Sequence, residues 1–200
     1  MNLLILYPSL FLSFEKFERK LKNILSENSP QKISYYSDPN GFVEKYVAIH
    51  LPDTATVNIP KFDLENITHA IIFDDGEEFV EELASIRLRI VPIRRIKIKI
   101  TRVINIKKDN KYKGLTSNEK YEYIGRGSYW GNPYSMYENG DDRDEVIRKF
   151  KYDFDFEKFP NKDKSEVYKL AGKRLGCFCK PNACHGDVLA DFLNSWDDGE

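Results

Sequence analysis

Residues 3–25 read LLILYPSLFLSFEKFERKLKNIL. Leu3 to Tyr7 is an unbroken apolar run with the length of a buried strand. Phe14, Phe17, Leu21, Ile24 and Leu25 then recur at helical spacing, with Ser13 as N-cap and Glu15 and Lys16 just inside. Asn28-Ser29-Pro30 stops that helix. The pair of signals then repeats. Lys32 to Tyr36 predicts a second strand, Asp38-Pro39-Asn40-Gly41 a turn, and Phe42 to Ile49 a short helix. Thr56 to Ile59 predicts a third strand, and Ala70 to Phe73 a buried one ending in Asp74-Asp75-Gly76. Glu77 to Ser85 follows as helix and Leu88 to Val91 as strand. Strands alternating with helices need crossover connections. The expected fold is therefore α/β. Residues 1–98 form a Rossmann-like, mainly parallel sheet with helices on both faces, and a small α+β domain follows over residues 99–200. Ligands of such sheets sit beyond the carboxyl ends of the strands. Here those ends carry Pro8-Ser9, Ser37-Asp38 and Asp74-Asp75-Gly76, with no GxGxxG or GxxxxGK[ST] to mark a phosphate cradle.

Composition narrows the class. Across 200 residues, hydrophobic side chains are 41% and aromatics 14%, which excludes a disordered chain. The 31 basic and 32 acidic residues nearly cancel, so affinity for a polyanion must come from local clustering. The densest cluster runs from Ile86 to Lys113, with eleven basic residues and the single acid Asp109. Within IRRIKIKITRVINI the isoleucines alternate with Arg95, Lys97, Lys99 and Thr101, the period of a strand with one cationic face. That face is either a track for a phosphate backbone or a lysine-guarded sheet edge. No apolar run is long enough to cross a bilayer, and the N-terminus lacks the basic flank of a signal peptide. The three cysteines fall within eight residues, an odd and local set unlike a disulfide framework. A reducing cytoplasm is the expected compartment. The tail Asp197-Asp198-Gly199-Glu200 is acidic and expected to fray.

Two segments of the second half carry the chemistry. The first is YIGRGSYWGNPY, residues 123–134. Its glycines and proline forbid regular structure, yet it bears Arg126, Ser128, Trp130 and Asn132. An arginine between glycines can present its planar fork to a phosphate, and Trp130 could stack on a base. The second is GKRLGCFCKPNACHGDVLADFL, residues 172–193. Leu175 to Cys179 reads as strand, Lys180 to Ala183 as turn, and a helix begins near Cys184 to Asp187. Cys184 and His185 then stand at a helix N-terminus, which favours anions and lowers a thiol pKa. Three chemistries fit this cluster. Cys177, Cys179, Cys184 and His185 are zinc-type ligands, although neighbours on a helix diverge by about 100°. Cys177, Cys184, His185 and Asp187 could instead serve as nucleophile, acid–base and orienting group. Small buried cysteines with a helix-capping histidine are the third possibility. Lys173 is a further candidate for holding phosphate.

These segments, with TRVINI at 101–106 and Arg143-Asp144-Glu145-Val146-Ile147, together resemble the domain-of-unknown-function family DUF4326 over residues 100–196. That family occurs in phages and bacteria. The resemblance implies that Arg126, Asn132, Cys177, Cys179, Cys184, His185 and Asp187 form a site, without naming a reaction. Residues 1–95 resemble the Rossmann-like SLOG group (YspA-like), which senses or processes nucleotides. LLILYPS and ITHAIIFDDGEEFVEEL carry the likeness, and the missing phosphate-binding glycines imply a degenerate copy. The expected function is that of a cytoplasmic, phage-encoded protein acting on a nucleotide or nucleic-acid-derived anion, with zinc as candidate cofactor. The competing class is a non-catalytic protein whose zinc-stabilised cluster supports binding to nucleic acid or a host protein. The enzyme question and the oligomeric state are left open by the residues alone.

Overall fold

The computed structural model describes residues 1–26, 29–107, 110–112, 114–115, 117–137 and 140–200. Asn28 of the expected helix stop, and Lys108, Asp109 and Lys113 of the basic stretch, lie outside them. The chain divides into two compact units: Met1–Ile98 together with Ser195–Glu200, and Lys99–Asn194.

Unit 1 runs β1 (Asn2–Leu6), α1 (Phe14–Leu25), β2 (Lys32–Tyr35), α2 (Phe42–His50), β3 (Ala55–Asn58), β4 (His69–Asp74), α3 (Val80–Leu88) and β5 (Ile93–Lys97). The strands form one parallel sheet in the order β3-β2-β1-β4-β5. The chain steps outward from β1 to β3 and returns to the other side at β4, so the order reverses between β1 and β4. Such a reversal is where open α/β sheets form a crevice. Leu3, Leu4, Ile5 and Leu6 are all buried, because a central parallel strand is covered on both faces. Ser13 caps α1, its Oγ accepting from Lys16 N at 3.3 Å. Phe17 and Leu21 then face inward, and Phe17 stacks on Phe73 at 4.8 Å.

Three details differ from the sequence reading. The last helix of unit 1 starts and ends three residues later than expected, at Val80 and Leu88 rather than Glu77 and Ser85. Asp75 Oδ1 accepts from the Glu77 and Glu78 N–H groups, both at 3.0 Å, and holds them in a turn before the helix. The expected strand from Leu88 to Val91 is instead a helix end and turn, with Leu88 and Ile90 85% and 90% exposed. Pro92 has no N–H to give, so the ladder begins after it, at Ile93. The basic run is likewise not one strand. β5 pairs with β4 in unit 1, whereas β6 (Arg102–Asn105) pairs with β8 (Arg174–Cys177) in unit 2. Arg95 forks onto the Asp74 carboxylate and is not available as part of a free cationic face.

The acidic tail is not frayed. Lys16 is buried on α1 with its ammonium on Asp198. Arg19 grips Asp197 through two nitrogens at 3.1 and 2.6 Å and reaches the Glu200 backbone oxygen at 3.0 Å. Charge of opposite sign on α1 thus collects a segment that composition alone marks as loose.

Unit 2 is built on three parallel strands in the order β6-β8-β7, with β7 at Tyr121–Tyr123 and β8 at Arg174–Cys177. The helices are α4 (Arg143–Asp155) and α5 (His185–Asn194), and a tighter helical turn covers Lys164–Leu170. Asp142 caps α4, accepting from Glu145 N at 2.8 Å. Phe150, Phe154, Val167, Leu175 and Leu189 form the core. Asn194, the last residue of α5, exchanges two hydrogen bonds with the Thr101 backbone at 2.8 and 3.0 Å. Among the described residues, no helix is long and apolar enough to cross a membrane.

The Lys16–Asp198 pair has side chains only 7% and 12% exposed. Asp198→Ala leaves a buried ammonium without its partner and is expected to lower unfolding stability by roughly 3 kcal/mol. Urea unfolding checks this, and Lys16→Met in the same background should recover most of the loss.

Candidate functional site

β8 is the central strand of unit 2, and Cys177 is its last residue. Beyond it the chain bends through Phe178 and Cys179 into a turn. Asn182 N donates to Cys179 O at 3.1 Å, and Asn105 Nδ2 donates to the Phe178 and Lys180 carbonyls. β8 therefore stops two residues sooner than the expected Cys179. Cys184 lies just before α5, and His185 is the first residue of that helix. Because Cys184 is off the helix, the angular divergence of neighbouring helical positions does not apply. Cys184 Sγ stands 3.8 Å from His185 Nδ1, and Cys177 Sγ stands 3.4 Å from Cys179 Sγ. Cys177, Cys184 and His185 are buried and offer ligand atoms all within 4.8 Å of one another. Cys179, half-buried, falls outside that mutual limit. Around a tetrahedral zinc, with Zn–S about 2.3 Å and Zn–N about 2.0 Å, neighbouring ligand atoms stand about 3.5–3.8 Å apart. The Cys184–His185 separation is close to that range, and the trio's remaining pairs lie within 4.8 Å.

Hydrogen bonds fix the protonation pattern. The Ile124 carbonyl can only accept, so His185 Nε2, 2.9 Å away, carries the proton and Nδ1 keeps its lone pair. Burial holds the imidazole pKa below its ordinary value, in the neutral form a metal needs. The Cys184 thiol donates to Cys177, and with the Cys179 N–H this lowers the Cys177 pKa against the opposing effect of burial. The same bond, and burial, push the Cys184 thiol up. Burial and the neighbouring Cys177 push Cys179 up. Gly186 N also points at Cys184 Sγ, at 3.4 Å.

Asp187 does not orient the histidine ring. Its Oδ2 accepts from Cys184 N at 3.0 Å, and its Oδ1 pairs with Lys180 at 2.6 Å. A carboxylate in the first turn satisfies the helix's own N–H groups, which is the more local bond.

The glycine-rich loop leaves β7 at Tyr123 and folds through two turns, Ser128 N to Gly125 O and Gly131 N to Ser128 O. Gly127 sits at φ +85°, a conformation side chains resist. Arg126 is exposed and has no hydrogen-bond or ion-pair partner among the described residues. Trp130, expected to stack a ligand, is only 4% exposed and packs edge-on to Phe154 in the core. Ser128 Oγ is buried without a partner among the described residues. Asn132 ties the loop to α4, accepting from Tyr134 N at 2.9 Å and donating to Val146 O at 3.0 Å. Lys173, expected to hold phosphate, pairs with Glu122 at 3.1 Å and lies away from the cavity.

Loop and hairpin share one cavity of about 180 Å³. Arg126 and Asn132 line it from the loop, and Cys177, Cys179, Cys184 and His185 from the hairpin. Arg143 joins them from the start of α4, where its guanidinium also donates to Ala183 O at 3.3 Å. Tyr134, Met136 and Phe178 add apolar surface, and no acidic residue among the described residues lines the cavity. Two helix N-termini, those of α4 and α5, therefore reach one space with two arginines. That arrangement favours negative charge. Sequence reasoning placed Arg143 on a helix but not at this cavity; the Asp142 cap just before it was the available signal.

The family model described as the minimal SLOG domain matches residues 1–104, and that of the domain of unknown function DUF4326 matches residues 104–195. The chain belongs to the minimal SLOG family. Its DUF4326 segment carries both the glycine-rich loop and the Cys/His hairpin. A relative from Enterobacteria phage T4, an uncharacterized 12.4 kDa protein in the nrdA-td intergenic region, is 40% identical over 72 residues. The match covers 36% of this chain and 65% of that protein, so the chain spans under two thirds of the relative. No solved structure matches.

The SLOG unit has its own cleft, about 540 Å³, at the carboxyl ends of its strands. Tyr7, Ser9, Tyr36 and Ser37 line it, but so do Glu77, Glu78, Glu81 and Glu82, with Lys61 engaged by Glu82 at 2.9 Å. The helix starts nearby are already filled. Asp38 accepts from the Val43 and Glu44 N–H groups of α2, both at 3.1 Å, and Asp75 holds the entry to α3. Tyr7 OH donates to Asp38 and accepts from Asn40 N. The N–H groups at the start of α2 and before α3 are thus taken by the chain's own carboxylates.

At Gly186 a Cβ would meet Ile124 Cδ1 at 2.4 Å and Val103 at 3.2 Å. Gly186→Ala is expected to push α5 off the sheet, costing roughly 1–3 kcal/mol. Reduced thermal stability of the variant, with faster alkylation of Cys184, checks this.

Proposed function

We propose that the chain binds a nucleotide or nucleic-acid-derived anion in the cavity of its DUF4326 unit, beside a zinc ion held by Cys177, Cys184 and His185 Nδ1. The observation that carries this reading is the shared cavity, where an unpaired arginine and the Cys/His trio face one space. Membership of the SLOG family points to nucleotide-related binding in the same direction. The acidic SLOG cleft argues that the anionic end goes to the DUF4326 unit and that the SLOG unit is a degenerate copy at its phosphate positions.

In this reading Arg126 and Arg143 hold the anion, and Asn132 keeps the loop against α4. His185 offers Nδ1 because Ile124 engages its other nitrogen. Asp187 and Lys180 hold the turn that presents Cys184. Cys179, next to Cys177, is the fourth candidate ligand. A bound zinc supplies Lewis acidity or, with four protein ligands, rigidity alone. Three free cysteines suit a reducing host cytoplasm.

A second reading is favoured by burial. Cys177, Cys184 and His185 are 4%, 1% and 5% exposed, as in a closed structural zinc site of an interaction protein. One set of measurements separates the two. Elemental analysis of purified protein is expected to give about one zinc per chain, lost in Cys184→Ser. Phosphate-bearing nucleotides are expected to raise the thermal midpoint, by about 2.7 kcal/mol of stabilisation at a hundredfold excess over Kd. Arg126→Ala removes that shift while leaving the unliganded midpoint in place, since its side chain is exposed and unpaired. Zinc without any nucleotide shift supports the structural reading instead.

A further inference from the structure

We infer that Phe178 is an aromatic platform for a nucleobase, so that the ligand class is a base-bearing phosphate and not a bare phosphate or sugar phosphate. The inference rests on the anion reading of the DUF4326 cavity.

Phe178 lies between Cys177 and Cys179, and its ring lines the cavity while 47% exposed. An exposed phenyl ring is ordinary where the chain is loose, but here its backbone is pinned. Asn105 Nδ2 donates to its carbonyl at 3.3 Å, and the preceding residue ends the central strand. Tyr123 meets the ring edge-to-face, with centroids 6.3 Å apart at 73°. The ring is therefore held from the side. The Lys107 ammonium lies over the ring, 5.4 Å from its centroid, and brings positive charge to the place where a base-bearing phosphate would lie.

Size sets what must happen there. A cavity of about 180 Å³ is below the roughly 300–1,000 Å³ of a cleft that encloses a whole small-molecule ligand. It takes the charged end, at the arginines, and the rest of the ligand lies across the rim. Phe178 has no polar atom, so it acts there through its π-face or not at all. The other lining aromatic, Tyr134, has its hydroxyl committed to Asp153. Trp130 is in the core. Stacking tolerates every base, so selectivity among bases is expected to be weak.

Calorimetric titration of the full chain with AMP, CMP, ribose 5-phosphate and inorganic phosphate tests this. The unaltered protein should bind AMP and CMP roughly 5- to 100-fold tighter than ribose 5-phosphate. Phe178→Ala should erase that preference and leave ribose 5-phosphate affinity unchanged. Phe178→Trp should keep it, and Arg126→Ala should weaken all four ligands alike. Equal binding of AMP and ribose 5-phosphate, or a preference that survives Phe178→Ala, overturns the platform while the anion reading stands. Absence of binding by all four overturns both.

Discussion

The hydrogen bond between His185 Nε2 and the Ile124 carbonyl holds the DUF4326 site together. Ile124 opens the glycine-rich loop, and His185 opens the helix after the cysteine hairpin, 61 positions further along. One bond thus sets the distance between the two segments, fixes the imidazole tautomer and turns the free ring nitrogen toward the sulfurs. Gly186 makes the approach feasible, because any side chain there would run into Ile124. The cavity is the space left where loop, hairpin and the start of α4 meet.

The two units treat their helix N-termini in opposite ways. In the SLOG unit Ser13, Asp38 and Asp75 fill the helix starts and turns with oxygen acceptors from the chain itself. The positive ends of those dipoles are spent internally, and the adjoining cleft carries glutamates. In the DUF4326 unit α4 and α5 also have carboxylate caps, from Asp142 and Asp187. Their first residues, however, are Arg143 and His185, both on the cavity, and among the described residues no acid joins them there. Similar local capping therefore leaves one crevice acidic and the other suited to an anion. The difference lies in which side chains follow the cap.

The parts of the fold legible in the sequence are those governed by local rules. The strand at Leu3, the helix from Phe14 to Leu25 and its Ser13 cap follow from periodicity and hydrogen bonding within a few residues. The Cys/His cluster was visible by residue type, and its neighbourhood with Arg126 by motif. What periodicity could not reveal was partner choice. The alternating isoleucines keep one pattern across Ile96, Ile98 and Ile100, all buried, while the ladder changes sheets beneath them. Trp130 looked like a ligand contact because it stands in a loop, yet a large ring is worth more in the core, against Phe154. Asp187 and Lys173 were read as site groups and instead bond the nearest unsatisfied donor or carboxylate. Lys16 gives no sign in sequence that its partner is Asp198, 182 residues away.

That last pairing bears on how the chain is made. The SLOG unit includes Ser195–Glu200 as well as Met1–Ile98, so the DUF4326 unit is, in topology, an insertion within it. Lys16 and Arg19 meet their carboxylates only after the whole intervening DUF4326 segment has been made. The first unit's helix α1 thus depends for its charge partners on chain that lies beyond the second unit.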